Sequence, residues 1–272
     1  MNGRLRDLGL RSGNPPGSTA GAEPVLQLAS HVISMLAARK QVDVAEMRRA
    51  VLARLIEALV SDDPMAAARL LEEMRRQRIP AESLIDDILP EAARSLGAAW
   101  DRDQISFVDV TIGSMRLQGM LRDIEMRTAQ DIAPQAGAGS VLVIVPSDEQ
   151  HTLGALVISN RMRRMGVSVC LRIMPGTNLL RDLLANRNFD AVMLSVSASE
   201  NLDLASKVVK LVRQGTQAGR MRAPPVIVGG ALVAAGADVG ARIEADLATC
   251  DLEEALRFSG LDVDGLGLRQ RA

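Results

Sequence analysis

The chain has 272 residues, 32 Lys and Arg against 33 Asp and Glu, a formal net charge of −1 and only 1% aromatic residues. That balance lacks the basic face that direct nucleic-acid binding ordinarily needs, and the few rings leave little for base stacking. No stretch reaches the length of a membrane span and the N-terminus lacks a secretory apolar core, so the reading is a soluble cytoplasmic protein with no membrane partner. Cys170 and Cys250 lack C-x-x-C spacing, which argues against a zinc site or a disulfide framework.

Taken in order, residues 1–23 mix Gly, Ser, Pro, Asn and Arg and read as a disordered leader. Residues 24–131 carry helical periodicity, broken at Gln41–Asp43, Ser61–Pro64 and Ile79–Glu82, where Asp43, Asp63 with Pro64, and Ser83 are start signals. Such short breaks predict four or five helices packed antiparallel as a bundle. A Pro- and Gly-containing linker follows at 132–139. Residues 140–272 then alternate strands, at about 140–145, 167–173, 190–195, 225–229 and 242–246, with helices that include Thr177–Asn186, Leu202–Thr216 and Leu252–Phe258. The fold class is therefore a doubly wound, Rossmann-like parallel sheet preceded by an all-α bundle.

In such sheets ligands bind at the carboxyl ends of the strands, and three loops there stand out. Ser140–Val145 runs into Pro146-Ser-Asp-Glu-Gln-His-Thr-Leu-Gly154, where Glu149, His151 and Gly154 form an E-x-H-x-x-G spacing. A carboxylate two residues before an imidazole can fix its tautomer, the usual support for a ligating His. The second loop is Ser195-Val-Ser-Ala-Ser199, after an apolar strand, and the third is Gly229-Gly230, after Pro225–Val228. Turn chemistry accounts for any one of these serines and glycines, but not for all of them in this order.

The ordered set resembles the cobalamin-binding domain family, whose signature is D-x-H-x-x-G, then S-x-L, then G-G. The resemblance covers roughly the last half of the chain. It implies a corrinoid bound base-off, with His151 as the lower ligand of cobalt, Glu149 behind it and Gly154 beside the nucleotide tail. It further implies Ser195 on the tail nitrogen, Ser199 lining the tail pocket, and Gly229 and Gly230 leaving room for the nucleotide loop. Two positions depart from the family pattern: Glu149 stands for Asp, and Ser197 for the Leu of S-x-L.

In the helical half, Leu96–Ile112 contains the only Trp and resembles the capping bundle that precedes cobalamin domains, implying Trp100 over the upper face of the corrin; a lone bundle Trp is otherwise core material. Where light-sensing relatives carry Glu-His, this chain has Asp109-Val110. His31, the other histidine, is expected at a core or boundary position. More narrowly, Ser106–Gly113 with Arg116-Leu117 resembles the AerR/PpaA antirepressors of photosynthesis genes. That implies a non-enzymatic, photoreceptor-like sensory regulator acting through a separate DNA-binding repressor, its cobalamin carrying a hydroxo, methyl or adenosyl upper ligand. The competing reading is a corrinoid methyl-carrier protein of a methyltransferase system. A phosphoreceiver lacks its acceptor Asp, since Ser195 stands at that position, and a dinucleotide site lacks G-x-G-x-x-G after the first strand.

Overall fold

A computed structural model describes residues 46–128, 139–146, 152–173, 175–215 and 223–261. By its contacts the chain divides into residues 1–51, of which the described 46–51 are helical, and residues 52–272. The expected leader, His31 and all of the linker except Gly139 lie outside the described residues.

The helical part begins with α1 (46–60), whose Leu55 and Leu59 are fully buried. In α2 (Ala66–Arg76) the buried residues are Ala67, Leu70, Leu71 and Met74, one apolar stripe at helical spacing. The expected start at Asp63 and Pro64 comes two residues early: Asp63 Oδ1 accepts from Met65 N at 2.9 Å in a turn ahead of the helix, which begins at Ala66 without a side-chain cap. Next, α3 (Ala81–Ser83) passes without a break through a π turn (Leu84–Ile88) into α4 (Leu89–Asp101). Pro90 explains the π turn, because proline has no N–H to donate and its ring would press on the carbonyl of Asp86 in a regular helix. Finally, α5 (Phe107–Thr128) opens on a reciprocal cap: Ser106 N donates to Asp109 Oδ2 at 2.9 Å, and Asp109 N to Ser106 Oγ at 3.1 Å. The Ser106 hydroxyl and N–H together hold the Asp109 carboxyl below the ordinary Asp range.

Arg116 of α5 ties the bundle together. Its Nη1 donates to the carbonyls of Leu59 at 2.8 Å and Ser61 at 2.7 Å, satisfying oxygens that the end of α1 leaves without helical partners. Charged donors to such carbonyls contribute about 1.5–3 kcal/mol each, so Arg116→Ala is expected to lower unfolding stability by about 2 kcal/mol. Urea unfolding checks this, and an unmoved midpoint would mean that water replaces the guanidinium without loss.

The sheet contains β1 (Ser140–Val145), β2 (Ser168–Ile173), β3 (Ala191–Ser195), β4 (Val226–Gly229) and β5 (Leu247–Ala248), all parallel in the order β2-β1-β3-β4-β5. Helices cover both faces, as the nearly unbroken burial of β1, β3 and β4 requires. On one face Val141, Val143, Met193 and Ile227 pack under α6 (Leu153–Arg164) and α11 (Leu252–Phe258). On the other, Leu142, Ile144, Val192, Leu194 and Val228 pack under α7 (Thr177–Asn186), α8 (Leu202–Gly215) and α10 (Val239–Ile243). A short α9 (Ala231–Ala234) follows β4.

One expected strand is displaced. Residues 242–246 are not a strand: Asp238 caps α10 by accepting from Ala241 N, and Glu244 takes a left-handed conformation, φ 59°, that ends that helix. Only Leu247–Ala248 pair with β4. Among the described residues no helix is long and apolar enough to cross a membrane.

The helical part packs against α6, the helix that leaves the E-x-H-x-x-G loop. Gln118 Nε2 donates to Thr152 Oγ1 at 3.0 Å, and Asn160 Nδ2 donates to Glu125 Oε1 at 3.1 Å. Arg164 bridges Asn160, at 2.9 Å, to Asp86 of the π turn.

Candidate binding site at the carboxyl edge of the sheet

The order β2-β1-β3 places a topological switch point between β1 and β3, where chain connections leave in opposite directions and open a crevice. Ser195 closes β3 and pairs in register with Gly229 at the end of β4. Val196 N donates to Gly229 O at 2.9 Å, locking the two loops together. Gly230 follows with φ +111°, and a Cβ there would lie 2.8 Å from both the N and the C of Val196 and closer still to its carbonyl oxygen. The first reason for glycine at 230 is therefore internal, the close approach of two backbones, and only then space for a ligand.

Beneath these loops lies a cavity of about 150 Å³. Its floor is Val143, Met193 and Ile227 of the sheet, and its sides are Ala155 and Ile158 of α6 and Leu252 and Ala255 of α11. Gly154, Ser195, Gly229 and Gly230 line it as well. Among the described residues an added Cβ at Gly154 would meet nothing within 4 Å, so glycine there does not serve their packing.

Four of the expected site residues are thus brought together around one cavity. Ser199 is not among its lining residues: it is exposed, opening a 3-10 turn (Ser199–Asn201) with its hydroxyl 3.4 Å from Glu200 Oε2. Glu149 and His151 lie outside the described residues. The described chain resumes at Thr152, held by Gln118, one residue beyond His151.

Trp100 stands 46% exposed near the end of α4, so the core alternative does not describe it. Its ring lies 6.4 Å from that of Phe107, inclined at 59°. Val108, Ile112 and Met115, at i, i+4 and i+7 on α5, are exposed alongside it in sequence, and exposed apolar groups in such number usually mark a binding surface.

Reading the sequence missed the fourth loop, Thr249-Cys250-Asp251, which also lines the cavity. Its signal was present in Asp251, which caps α11 by accepting from Glu253 N at 2.8 Å and Glu254 N at 3.3 Å. Placing the last strand at 242–246 hides it, because a loop at a strand's carboxyl end is recognised only once that strand is in register.

The architecture defines a class: a helical bundle followed by an α/β domain with the fold of corrinoid proteins. The Methanosarcina barkeri monomethylamine corrinoid protein superposes with a TM-score of 0.60 at 15% identity, covering 78% of this chain and 97% of that one. No family model matches the chain. It is 42% identical over 183 residues to the uncharacterized 20.5 kDa protein in the bchF-crtJ intergenic region of Rhodobacter capsulatus, an alignment spanning 67% of this chain and 93% of the relative. The chain belongs to the family of that protein.

Proposed function

We propose that this protein binds cobalamin at the carboxyl edge of the sheet and acts as a sensory regulator of transcription through a separate DNA-binding repressor. The observation that carries the binding reading is the apolar cavity, which gathers Gly154, Ser195, Gly229 and Gly230 at the switch point of a corrinoid-protein fold. The residues present suit the group. An aromatic tail matches the walls, Ser195 offers one hydroxyl, and the open space at Gly154 admits a chain where a side chain would stand. His151 would ligate cobalt through a neutral imidazole, and Glu149 would hold its tautomer. When bound, the corrinoid supplies an upper coordination position whose occupant can be exchanged.

The protein's own part is to hold and to report. Residues 24–131 and 140–272 act in this reading as cap and seat, coupled through the Gln118 contact to Thr152 and the Arg164 bridge to the π turn. A ligand shifts a conformational balance only by its differential affinity for the two states. Trp100 and Phe107, exposed and tilted together, are the surface on which an upper ligand of different size would act. The regulatory half of the reading draws on the AerR/PpaA resemblance of Ser106–Gly113 with Arg116-Leu117.

The test is capture of the repressor from native cell extract by immobilised protein loaded in turn with hydroxo-, methyl- and adenosylcobalamin. Capture should depend on the cobalamin form. Trp100→Ala should keep its cobalamin yet capture the repressor equally in every form. A mutant that still discriminates as wild type does would assign the sensing face elsewhere. A second reading, a corrinoid methyl carrier, is favoured by superposition over 97% of the Methanosarcina protein. Capture of a methyltransferase and of no repressor would decide for it.

A further inference from the structure

We propose that the cavity selects corrinoids whose lower base is a benzimidazole and rejects those that carry a purine. This rests on the cobalamin reading above and extends it to the class of ligand. The floor and sides, Val143, Met193, Ile227, Ala155, Ile158 and Leu252, are apolar side chains. At about 150 Å³ this largely apolar cavity has room for a small aromatic ring.

Several polar groups at its mouth are already engaged. Thr249 Oγ1 accepts from Asp251 N at 3.0 Å and donates to Glu254 Oε2. Asp251 Oδ1 is spent on the cap of α11. Cys250 Sγ lies 3.5 Å from the carbonyl of Gly230, and Gly229 O receives Val196 N. Among the described residues Ser195 is the lining hydroxyl that has no such engagement.

One hydroxyl matches one ring nitrogen. A benzimidazole nucleotide detached from cobalt has a single free ring nitrogen, and the remainder of its base is hydrocarbon. Adenine in the same seat would keep further ring nitrogens and an amino group against Val, Ile, Leu and Met side chains, and unpaired buried polar groups are costly. Two such groups left unpaired correspond to affinity weaker by roughly a hundredfold.

The experiment titrates the full chain with three corrinoids followed by their visible spectra: cobalamin, its analogue with adenine as lower base, and cobinamide, which has no base. Cobalamin should bind tightest, with the adenine analogue roughly a hundredfold weaker and near cobinamide. Equal affinity for cobalamin and the adenine analogue would overturn the proposal, as would equal affinity for cobalamin and cobinamide. Should cobinamide bind and cobalamin gain nothing, the corrinoid reading stands and the seat is wrong; should none of the three bind, the corrinoid reading itself falls and this inference with it. Ala255→Leu, which fills the cavity from α11, gives an independent check. It should bring cobalamin down to the level of cobinamide and leave cobinamide unchanged, whereas an unaltered preference for cobalamin would place the base outside the cavity. The wild-type series decides the matter even if that variant folds poorly.

Discussion

Gly230→Val should cost the protein about 3 kcal/mol of stability and abolish tight corrinoid binding together. A φ of +111° is open to glycine and strained for any residue with a Cβ, and such strain costs about 1–3 kcal/mol before any collision. Collision adds to it, because the new Cβ would meet the backbone of Val196, which cannot swing aside as a side chain could. Val196 is fixed by its N–H to Gly229 O and is fully buried, so the β3 and β4 loops would have to separate. The β-branched side chain makes the fit worse than alanine would. Gly154→Ala provides the contrast. Among the described residues its Cβ meets nothing, so folding should be undisturbed, while corrinoid affinity should fall because in the proposed reading that space admits the ligand. Thermal unfolding and spectral titration of both variants separate the two cases. If Gly230→Val melts with the wild type, backbone approach is not what selects glycine there.

His151→Ala is the second large effect. In the proposed reading the imidazole is the direct metal ligand, and its removal should weaken cobalamin by more than the roughly 10–100-fold loss typical of outer supporting groups. The bound spectrum, if any binding persists, should move toward the form in which the corrinoid's own base ligates cobalt. Thermal unfolding of the variant, measured beside the titration, separates loss of ligation from loss of fold. Glu149→Gln should fall between wild type and His151→Ala. Unchanged affinity and spectrum in His151→Ala would remove it as a ligand.

How much of this was legible in sequence depended on the length of the signal. The run Ser140–Val145 is six apolar or small residues bounded by Gly and Pro, and its bounds are those observed. Thr177–Asn186 and Leu252–Phe258 also match, because amphipathic spacing and, for the latter, the Asp251 cap announce them. The last strand was not legible: two residues carry no periodicity, and the apolar pattern of Val239–Ile243 is that of a capped single turn and a half of helix. Ser195, Gly229 and Gly230 could be placed from motif order, since parallel strands deliver successive loops to one edge. Ser199 could not, because whether a loop residue faces the crevice depends on the turn it opens, here a 3-10 turn toward solvent. The π turn at Leu84–Ile88 is intelligible from Pro90 only once α3 and α4 are seen to be continuous.

The central claim is that a corrinoid occupies the crevice at the sheet's carboxyl edge, and its most direct test is a titration of the purified full chain with hydroxocobalamin, followed by gel filtration with absorbance read across the visible range. One cobalamin per chain should co-elute with the protein, with a spectrum distinct from that of the free ligand and lost in Gly230→Val. Protein that elutes colourless after incubation with excess cobalamin would contradict the account.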